Sequence, residues 1–88
     1  LTKIIIIGHE HPAVSFKERK DEKFKCFLKG KYGKSTLIVM PSFEVLTIGS
    51  DITRSKPLSP FLQGDLTNFE VYVVEDKVYK FGKLKNII

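Results

Sequence analysis

The stretch Ile4-Ile5-Ile6-Ile7-Gly8-His9-Glu10-His11-Pro12 decides how this sequence is interpreted. Four consecutive β-branched residues that end at a glycine are typical of a short strand buried on both faces, as strands of parallel sheets are. We therefore predict a buried central strand over residues 4–7. Pro12 removes a backbone donor and pushes His11 away from the helical region, so residues 10–15 are predicted to form a loop.

Both histidines of the chain, His9 and His11, lie in this stretch. In an extended backbone, residues i and i+2 project to the same side, so the two imidazoles are predicted to converge while Glu10 points away. Imidazole nitrogen is a common ligand of zinc-like ions, and Gly8 would let the backbone approach such ions closely. The alternative is a pair of surface histidines hydrogen-bonded to water, and a His-x-His motif alone is a weak signal.

The size and composition of the chain limit its function. With 88 residues, 42% hydrophobic and 28% charged, it is expected to fold as about one small domain with a marginal core and shallow clefts, which excludes a multidomain enzyme. The single cysteine, Cys26, cannot form an internal disulfide, which leaves a reducing compartment or a structural thiol as its explanation, and we expect a cytoplasmic chain. No stretch approaches the roughly 18 apolar residues of a membrane helix. An opening strand that needs neighbours on both sides suggests a fragment.

The remainder of the chain is predicted to form mainly antiparallel hairpins. Residues 24–29 alternate between apolar and charged side chains, which predicts a strand with one buried face. A turn at 30–33 and a partner strand over 36–40 complete a first hairpin. A second hairpin is predicted from 69–74 and 78–81.

Between the two hairpins the regular pattern is lost. Residues 43–48 are predicted to be a short extended segment, and 49–64 an ordered loop because it contains two prolines, several serines and a glycine at each end. The tail over 83–88 has no assigned structure. The chain itself is therefore predicted to be antiparallel β hairpins plus one buried strand of parallel type.

The formal net charge of +5 is concentrated in residues 17–34, which carry eight basic and three acidic side chains. Phe24, Phe27 and Tyr32 are interleaved with these lysines, so the stripe could follow a phosphate backbone while the rings stack on bases. The simpler interpretation is a solvated hairpin whose lysines protect a strand edge. Only one arginine, Arg19, lies in the stripe, which favours the simpler interpretation.

A strand, then Gly8-His9-x-His11-Pro12, then a return through hairpins resembles the last metal-binding motif of the calcineurin-like metallophosphoesterases. Within that superfamily the chain looks nearest to the SbcD-related (ICC-like) phosphoesterases of archaea and bacteria. Segments similar in order and spacing to that subgroup are Pro41-Ser42-Phe43, Leu46-Thr47 with Gly49-Ser50-Asp51, and Ser59-Pro60-Phe61-Leu62. The sequence departs from the subgroup at Glu44, where Asn is usual, and at Ile48, where a small residue is usual.

The resemblance implies an α/β fold, a four-layer α/β/β/α sandwich of which residues 1–88 would be the C-terminal portion. It also implies a centre of two divalent metal ions (Mn, Zn, Fe or Mg), with His9 as a ligand of one and His11 of the other, and neither as a catalytic acid or base. The other ligands would come from the N-terminal remainder of the same domain, so the isolated chain is expected to be inactive. The implied substrate is a phosphomonoester, a phosphodiester or a nucleic acid.

Three polar or small positions are candidates for lining this site, namely Gly8, Ser42 and Asp51, although Ser42 and Asp51 are also typical turn and cap residues. A function of another class stays open. The chain could be a small basic β module that binds nucleic acid or a protein partner without catalysis, the histidines being incidental. It could also form a homo-oligomer through exposed strand edges, since a fragment would leave Ile4–Ile7 without its parallel neighbours.

Overall fold

The alternation of apolar and polar side chains in the middle of the chain produces one strand much longer than the others, and this strand organises the sheet. The structure, a computed structural model, describes residues 3–8, 10–44, 49–54, 56–57 and 59–87. Within these residues the strands are β1 (Ile4–Ile7), β2 (Pro12–Phe16), β3 (Arg19–Tyr32), β4 (Ser35–Val39), β5 (Ser50–Asp51), β6 (Glu70–Val74) and β7 (Val78–Lys83). Single 3-10 turns cover Pro60–Leu62 and Leu84–Asn86.

The long strand β3 pairs with three other strands. Its first half pairs antiparallel with β2, and its second half with both β4 and β6. Leu28 faces Val39 of β4 and Val71 of β6, so these two strands lie on opposite edges of β3. The sheet extends outward from them, because β1 pairs parallel with β4 and β7 pairs antiparallel with β6. The result is a small β-rich domain built on a mixed sheet.

One face of this sheet forms the core. Cys26 and Leu28 of β3 are fully buried, and the residues paired with them in β4 and β6 are buried beside them. The loops and 3-10 turns cover this face with further apolar side chains, namely Ile52, Leu62, Phe69, Leu84 and Ile87. Each fully buried aliphatic side chain stabilises the fold by about 1.5–3 kcal/mol, so a core of this size depends on every member.

Both predicted hairpins are confirmed. β3 pairs with β4, and β6 pairs with β7. The predicted parallel character of the first strand is also confirmed by its register with β4. The turn of the first hairpin is shorter than predicted, because Gly30 lies inside β3 and the turn is formed by Gly33 and Lys34. Gly33 has a φ of 61°, a left-handed conformation that suits glycine in a tight turn.

The prediction that residues 4–7 form a buried central strand is wrong for the described structure. β1 lies at the end of the strand order, and Ile4 and Ile6 are 66% and 59% exposed. An all-isoleucine strand shows that both faces tolerate burial, but composition cannot show whether neighbours exist to bury them. β4 covers one edge, and no other strand of the described residues pairs with β1.

The predicted loop over 10–15 is also wrong from Pro12 onward, since β2 begins there. A proline at the first position of a strand leaves the ladder intact, because its missing N–H is not needed at that point. Ala13 and Val14 pair with Lys25 and Phe24 of β3. The predicted extended segment 43–48 cannot be compared as a whole, because residues 45–48 lie outside the described residues.

Two regions without predicted regular structure contain short elements. The loop over 49–64 includes β5 and the turn Pro60–Leu62, and the tail includes the turn Leu84–Asn86. The α/β/β/α sandwich implied by the resemblance is not shown, since the described ranges contain strands and 3-10 turns but no α-helix. None of these helical turns is long and apolar enough to cross a membrane.

The close packing of Phe69 on β3 gives a first testable prediction. A Cβ at Gly30 would overlap the ring of buried Phe69, whereas a Cβ at Gly64 would meet nothing within 4 Å. We expect Gly30→Ala to lower the free energy of unfolding by about 1–3 kcal/mol, because the ring must move. Gly64→Ala, its matched control, should change it by less than about 1 kcal/mol. Urea titration of both variants measures the difference, and equal midpoints would contradict the packing.

Candidate functional site

The candidate site centres on the backbone of His11. Its φ is 52°, so a bulky residue occupies the left-handed region, and it does so immediately before Pro12. Both circumstances are unusual, since L-residues pay about 1–2 kcal/mol there and residues before proline favour extended conformations. His11 is half-buried and connects the turn at Glu10 to the start of β2.

Gly49 lies directly against the carbonyl group of His11. A Cβ at Gly49 would overlap the carbonyl oxygen of His11 and lie 2.9 Å from its carbonyl carbon. Gly49 itself has a φ of 96°, which other residues rarely adopt. Directly after this apposition, β2 and β5 run parallel, with Pro12 beside Ser50 and Ala13 beside Asp51. The chain around His11 is therefore fixed by backbone contacts with residues 49–51.

Glu10 connects the histidine loop to a second loop. Its Oε1 accepts a hydrogen bond of 2.8 Å from the backbone N–H of Ser59. Ser59 Oγ accepts from the N–H of Phe61 and so caps the turn that begins at Pro60. Sequence reasoning missed this role of Glu10. The Ser59-Pro60 pair is a usual start of a helical turn. Because acidic side chains are favourable near such starts, this pair was the sequence signal that could have indicated an acid nearby.

Gly8 follows the last residue of β1 and packs against the neighbouring strand. A Cβ at this position would lie 3.1 Å from Cε of Met40, and the N–H of Met40 donates a 2.8 Å hydrogen bond to the carbonyl of Ile7. The glycine thus lets the chain leave β1 close to β4. Its predicted role in approaching metal ions stays a prediction.

Ser42 is buried and works locally, since its Oγ accepts from the N–H of Glu44 at 3.2 Å. The carbonyl of Glu44 in turn accepts from Lys25 Nζ, which fixes this segment to β3. These contacts match the turn role that was the alternative for Ser42. A site-lining role stays a prediction.

Asp51 is also buried and organises the turn that follows β5. Its Oδ1 accepts from the backbone N–H of Thr53 at 3.0 Å and from the Thr53 hydroxyl at 2.5 Å. Arg54 Nε lies 3.7 Å from its Oδ2, and the Thr53 hydroxyl is 3.0 Å from Oγ of Ser15. This network ties β2 to β5 and is the arrangement expected of a turn residue.

The expected convergence of two imidazoles rests on an extended backbone, and that premise is wrong. Glu10 lies in a turn and His11 is left-handed, so strand alternation does not set the directions of these side chains. His9 lies outside the described residues. Among the residues that the structure does describe, no group of three His, Cys, Asp or Glu side chains is arranged to hold a metal ion. These residues therefore do not form a metal cage by themselves.

The basic stripe over 17–34 does not form a single surface. Phe24 packs on Phe16 with ring centroids 5.5 Å apart, and Tyr32 packs on Phe61 at 4.9 Å. Phe27 points to the opposite face, where it contacts Phe43 at 6.2 Å. Alternation along β3 thus places the three aromatic residues of the stripe on both faces of the sheet.

Comparison with known proteins finds no match to this chain among protein-family models, curated proteins or solved structures. The resemblance to the metallophosphoesterases therefore stays a prediction from the histidine motif and the segments around it.

The apposition of Gly49 and His11 gives a second prediction, with Gly33 as its matched control. Both glycines have a positive φ, but a Cβ at Gly33 would meet nothing within 4 Å. Gly33→Ala should therefore lower the free energy of unfolding by about 1–2 kcal/mol, which is the cost of the left-handed conformation alone. We expect Gly49→Ala to cost about 1–3 kcal/mol more, because His11 must move. Chemical denaturation measures both variants. If they lose the same free energy of unfolding, the His11 carbonyl does not lie close enough to Gly49 to exclude a Cβ.

The thiol of Cys26 gives a third prediction, on pH. Burial raises its pKa from 9.0 to about 12, and the Asp51 carboxylate adds to the rise. The folded chain therefore keeps this proton above pH 9 while the unfolded chain releases it. The resulting stability is fully present below pH 9 and is lost as pH rises toward 12, by up to about 1.4 kcal/mol per pH unit.

This loss is measured by comparing the wild type with Cys26→Ala, which has no thiol. The difference between their unfolding free energies should be constant below pH 9 and should shift against the wild type between pH 9 and 11. Parallel curves over that range would contradict the raised pKa.

Proposed function

We propose that this chain carries the C-terminal part of the metal site of a phosphoesterase, in which His9 and His11 are two metal ligands. The observation that supports the proposal is the left-handed backbone of His11 before Pro12, held against Gly49. Strained residues of this kind cost about 1–3 kcal/mol and cluster at functional sites, where the surroundings enforce them.

The residue type at this position strengthens the argument. Glycine would adopt a φ of 52° at lower cost than histidine. A turn alone therefore does not require an imidazole at His11. Metal coordination would supply a reason, since imidazole is the commonest nitrogen ligand of metal ions in proteins.

The position of the loop also fits a ligand site. β1 and β4 are parallel, and Gly8 follows the carboxyl end of β1 beside Met40 at the end of β4. In sheets with parallel strands, ligands bind outside the carboxyl ends. Glu10 and Gly49 then fix the loop from two sides.

The two histidines do not complete a hydrolytic centre. The chain contains two histidines in total, whereas one catalytic zinc-type ion takes about three protein ligands. The residues present thus fit part of a site for two divalent ions. In this proposal the other ligands come from a further segment of the same protein, and the substrate is a phosphate ester.

Metal binding by the imidazoles is the experiment that tests the proposal. With two histidines, the imidazole C–H signals in a proton NMR spectrum are easily assigned. We expect Mn²⁺ to broaden the signals of His9 and His11 together, at lower concentration than it broadens any other side chain. Broadening of one imidazole only, or of neither, would overturn the shared site.

The matched control is His11→Asn, because asparagine tolerates the left-handed backbone and so separates the ligand from the fold. Its free energy of unfolding, from urea titration, should stay within about 1 kcal/mol of the wild type, and selective broadening at His9 should be abolished. The isolated chain should show no metal-dependent hydrolysis of an aryl phosphate. Turnover that EDTA removes would contradict the incomplete centre.

A further inference from the structure

The face of the sheet opposite to Cys26 and Leu28, called here the outer sheet face, combines cations with aromatic rings. The register across β4, β3, β6 and β7 fixes which residues share it. Lys29 lies between Ile38 and Glu70, and Glu70 is beside Lys83. Further members of this face are Phe27, Lys31, Thr36, Tyr72 and Lys80.

One end of the outer sheet face borders a concave region that Gly30 and Phe69, from the core side of the sheet, also line. A cleft of about 610 Å³ opens there, lined by three lysines from two strands, Lys29, Lys31 and Lys83. The hydroxyl-bearing Thr36 and the amide-bearing Asn68 also line it. The volume is within the range of about 300–1,000 Å³ that is usual for ligand pockets. The polar groups available in this cleft are mostly donors, which suits an anion.

The two acids of the cleft are already engaged. Glu70 Oε2 lies 3.1 Å from Lys80 Nζ, and this hydrogen bond, with the charges of Lys29 and Lys83, holds its pKa below the ordinary value. Asp65 Oδ1 accepts from the N–H and the hydroxyl of Thr67 at 2.9 and 2.7 Å.

The lysines of the cleft are in a different situation. Lys29, Lys31 and Lys83 form no ion pair with any part of the chain that the structure describes. Their three ammonium groups are therefore available to an anion from solution.

A row of aromatic residues continues from the cleft along the outer sheet face. Phe27 is on the same strand as Lys29 and Lys31, at intervals of two residues or about 6.6 Å. Tyr72 is its cross-strand partner, and Lys80 Nζ lies 5.9 Å from the Tyr72 ring centre. Phe43 stands edge-on to Phe27 and is 70% exposed. The exposed ring offers a surface on which a planar base can stack.

We propose that the outer sheet face binds a single-stranded polynucleotide, with phosphates at Lys29, Lys31 and Lys83 and bases against Phe43 and Tyr72. Cations that follow the backbone and aromatic rings that stack on bases are the two features of sequence-independent single-strand binding. The basic stripe predicted from sequence is thus replaced by a surface built from four segments of the chain. This inference is independent of the metal site.

An acidic protein segment is the competing partner for the same lysines. The outer sheet face also exposes Ile4 and Ile6, but these lie on β1, beyond β4 from the cleft. The row next to the lysines is aromatic, and this favours the polynucleotide.

The test is fluorescence anisotropy with a labelled oligothymidylate of about 12 nucleotides, in EDTA, over a range of salt concentrations. The wild type should bind with an affinity that falls linearly on a log–log plot against salt. The triple variant Lys29→Gln, Lys31→Gln and Lys83→Gln should reduce that slope by about 2, at about 0.7 per phosphate contact. Circular dichroism checks that the variant folds.

The charge-matched control is Lys17→Gln, Lys56→Gln and Lys77→Gln, three exposed lysines outside the cleft and outside the strands that carry the outer sheet face residues named above. It removes the same net charge and should leave the slope unchanged within about 0.7, the value of one phosphate contact. Equal slopes for the two triple variants would show that binding follows bulk charge, which would overturn the assigned surface.

The aromatic part of the proposal has its own variant. Phe43→Leu keeps an apolar side chain and removes the ring, and it should weaken oligothymidylate binding by about 5- to 150-fold while leaving tripolyphosphate binding unchanged. A labelled poly-glutamate peptide bound as tightly as the oligonucleotide would identify an acidic protein partner. Equal binding of a duplex would show that the bases are not read, and either result overturns the proposal.

Discussion

The domain depends on the double pairing of β3. At Leu28 this strand is paired with Val39 on one edge and with Val71 on the other, so the two hairpins share one central strand. Because side chains alternate along it, the same strand also separates the molecule into two surfaces. Cys26 and Leu28 build the core on one face, while Phe27, Lys29 and Lys31 occupy the other. A shift of one residue in this register would exchange the two sets.

The sequence predicts the parts of the fold that follow from a period of two. Both hairpins belong to this class, because the buried alternation of β3 and the turn glycine Gly33 are visible in the sequence. The edge position of β1 does not belong to it. Four isoleucines indicate that both faces of the strand can be buried, whereas the strands that pair with it depend on the remainder of the chain. Pro12 was misleading for another reason, since a proline can both end a loop and begin a strand.

For the candidate site, the sequence predicts which residue types are present but not how they are arranged in space. The convergence of the two imidazoles was inferred from an extended backbone, but His11 is left-handed, with its carbonyl close against Gly49. Contacts between residues 38 positions apart or more, such as Ser15 with Thr53 and Glu10 with Ser59, leave no local pattern. Turn chemistry is local, so Ser42 and Asp51 could be interpreted as turn residues from sequence, and their hydrogen bonds agree with that interpretation.

The attachment of the long loop at both of its ends has a dynamic consequence. At one end Gly49 lies against His11, and at the other Ser59 donates to Glu10, so two neighbouring residues hold both ends of the segment from Gly49 to Ser59. Such a loop opens as one unit with the peptide that holds it. Amide hydrogen exchange at Ile52, whose N–H donates to Ala13, and at Ser59 should then occur at a common rate. Any molecule that orders the histidine peptide would slow both amides at once.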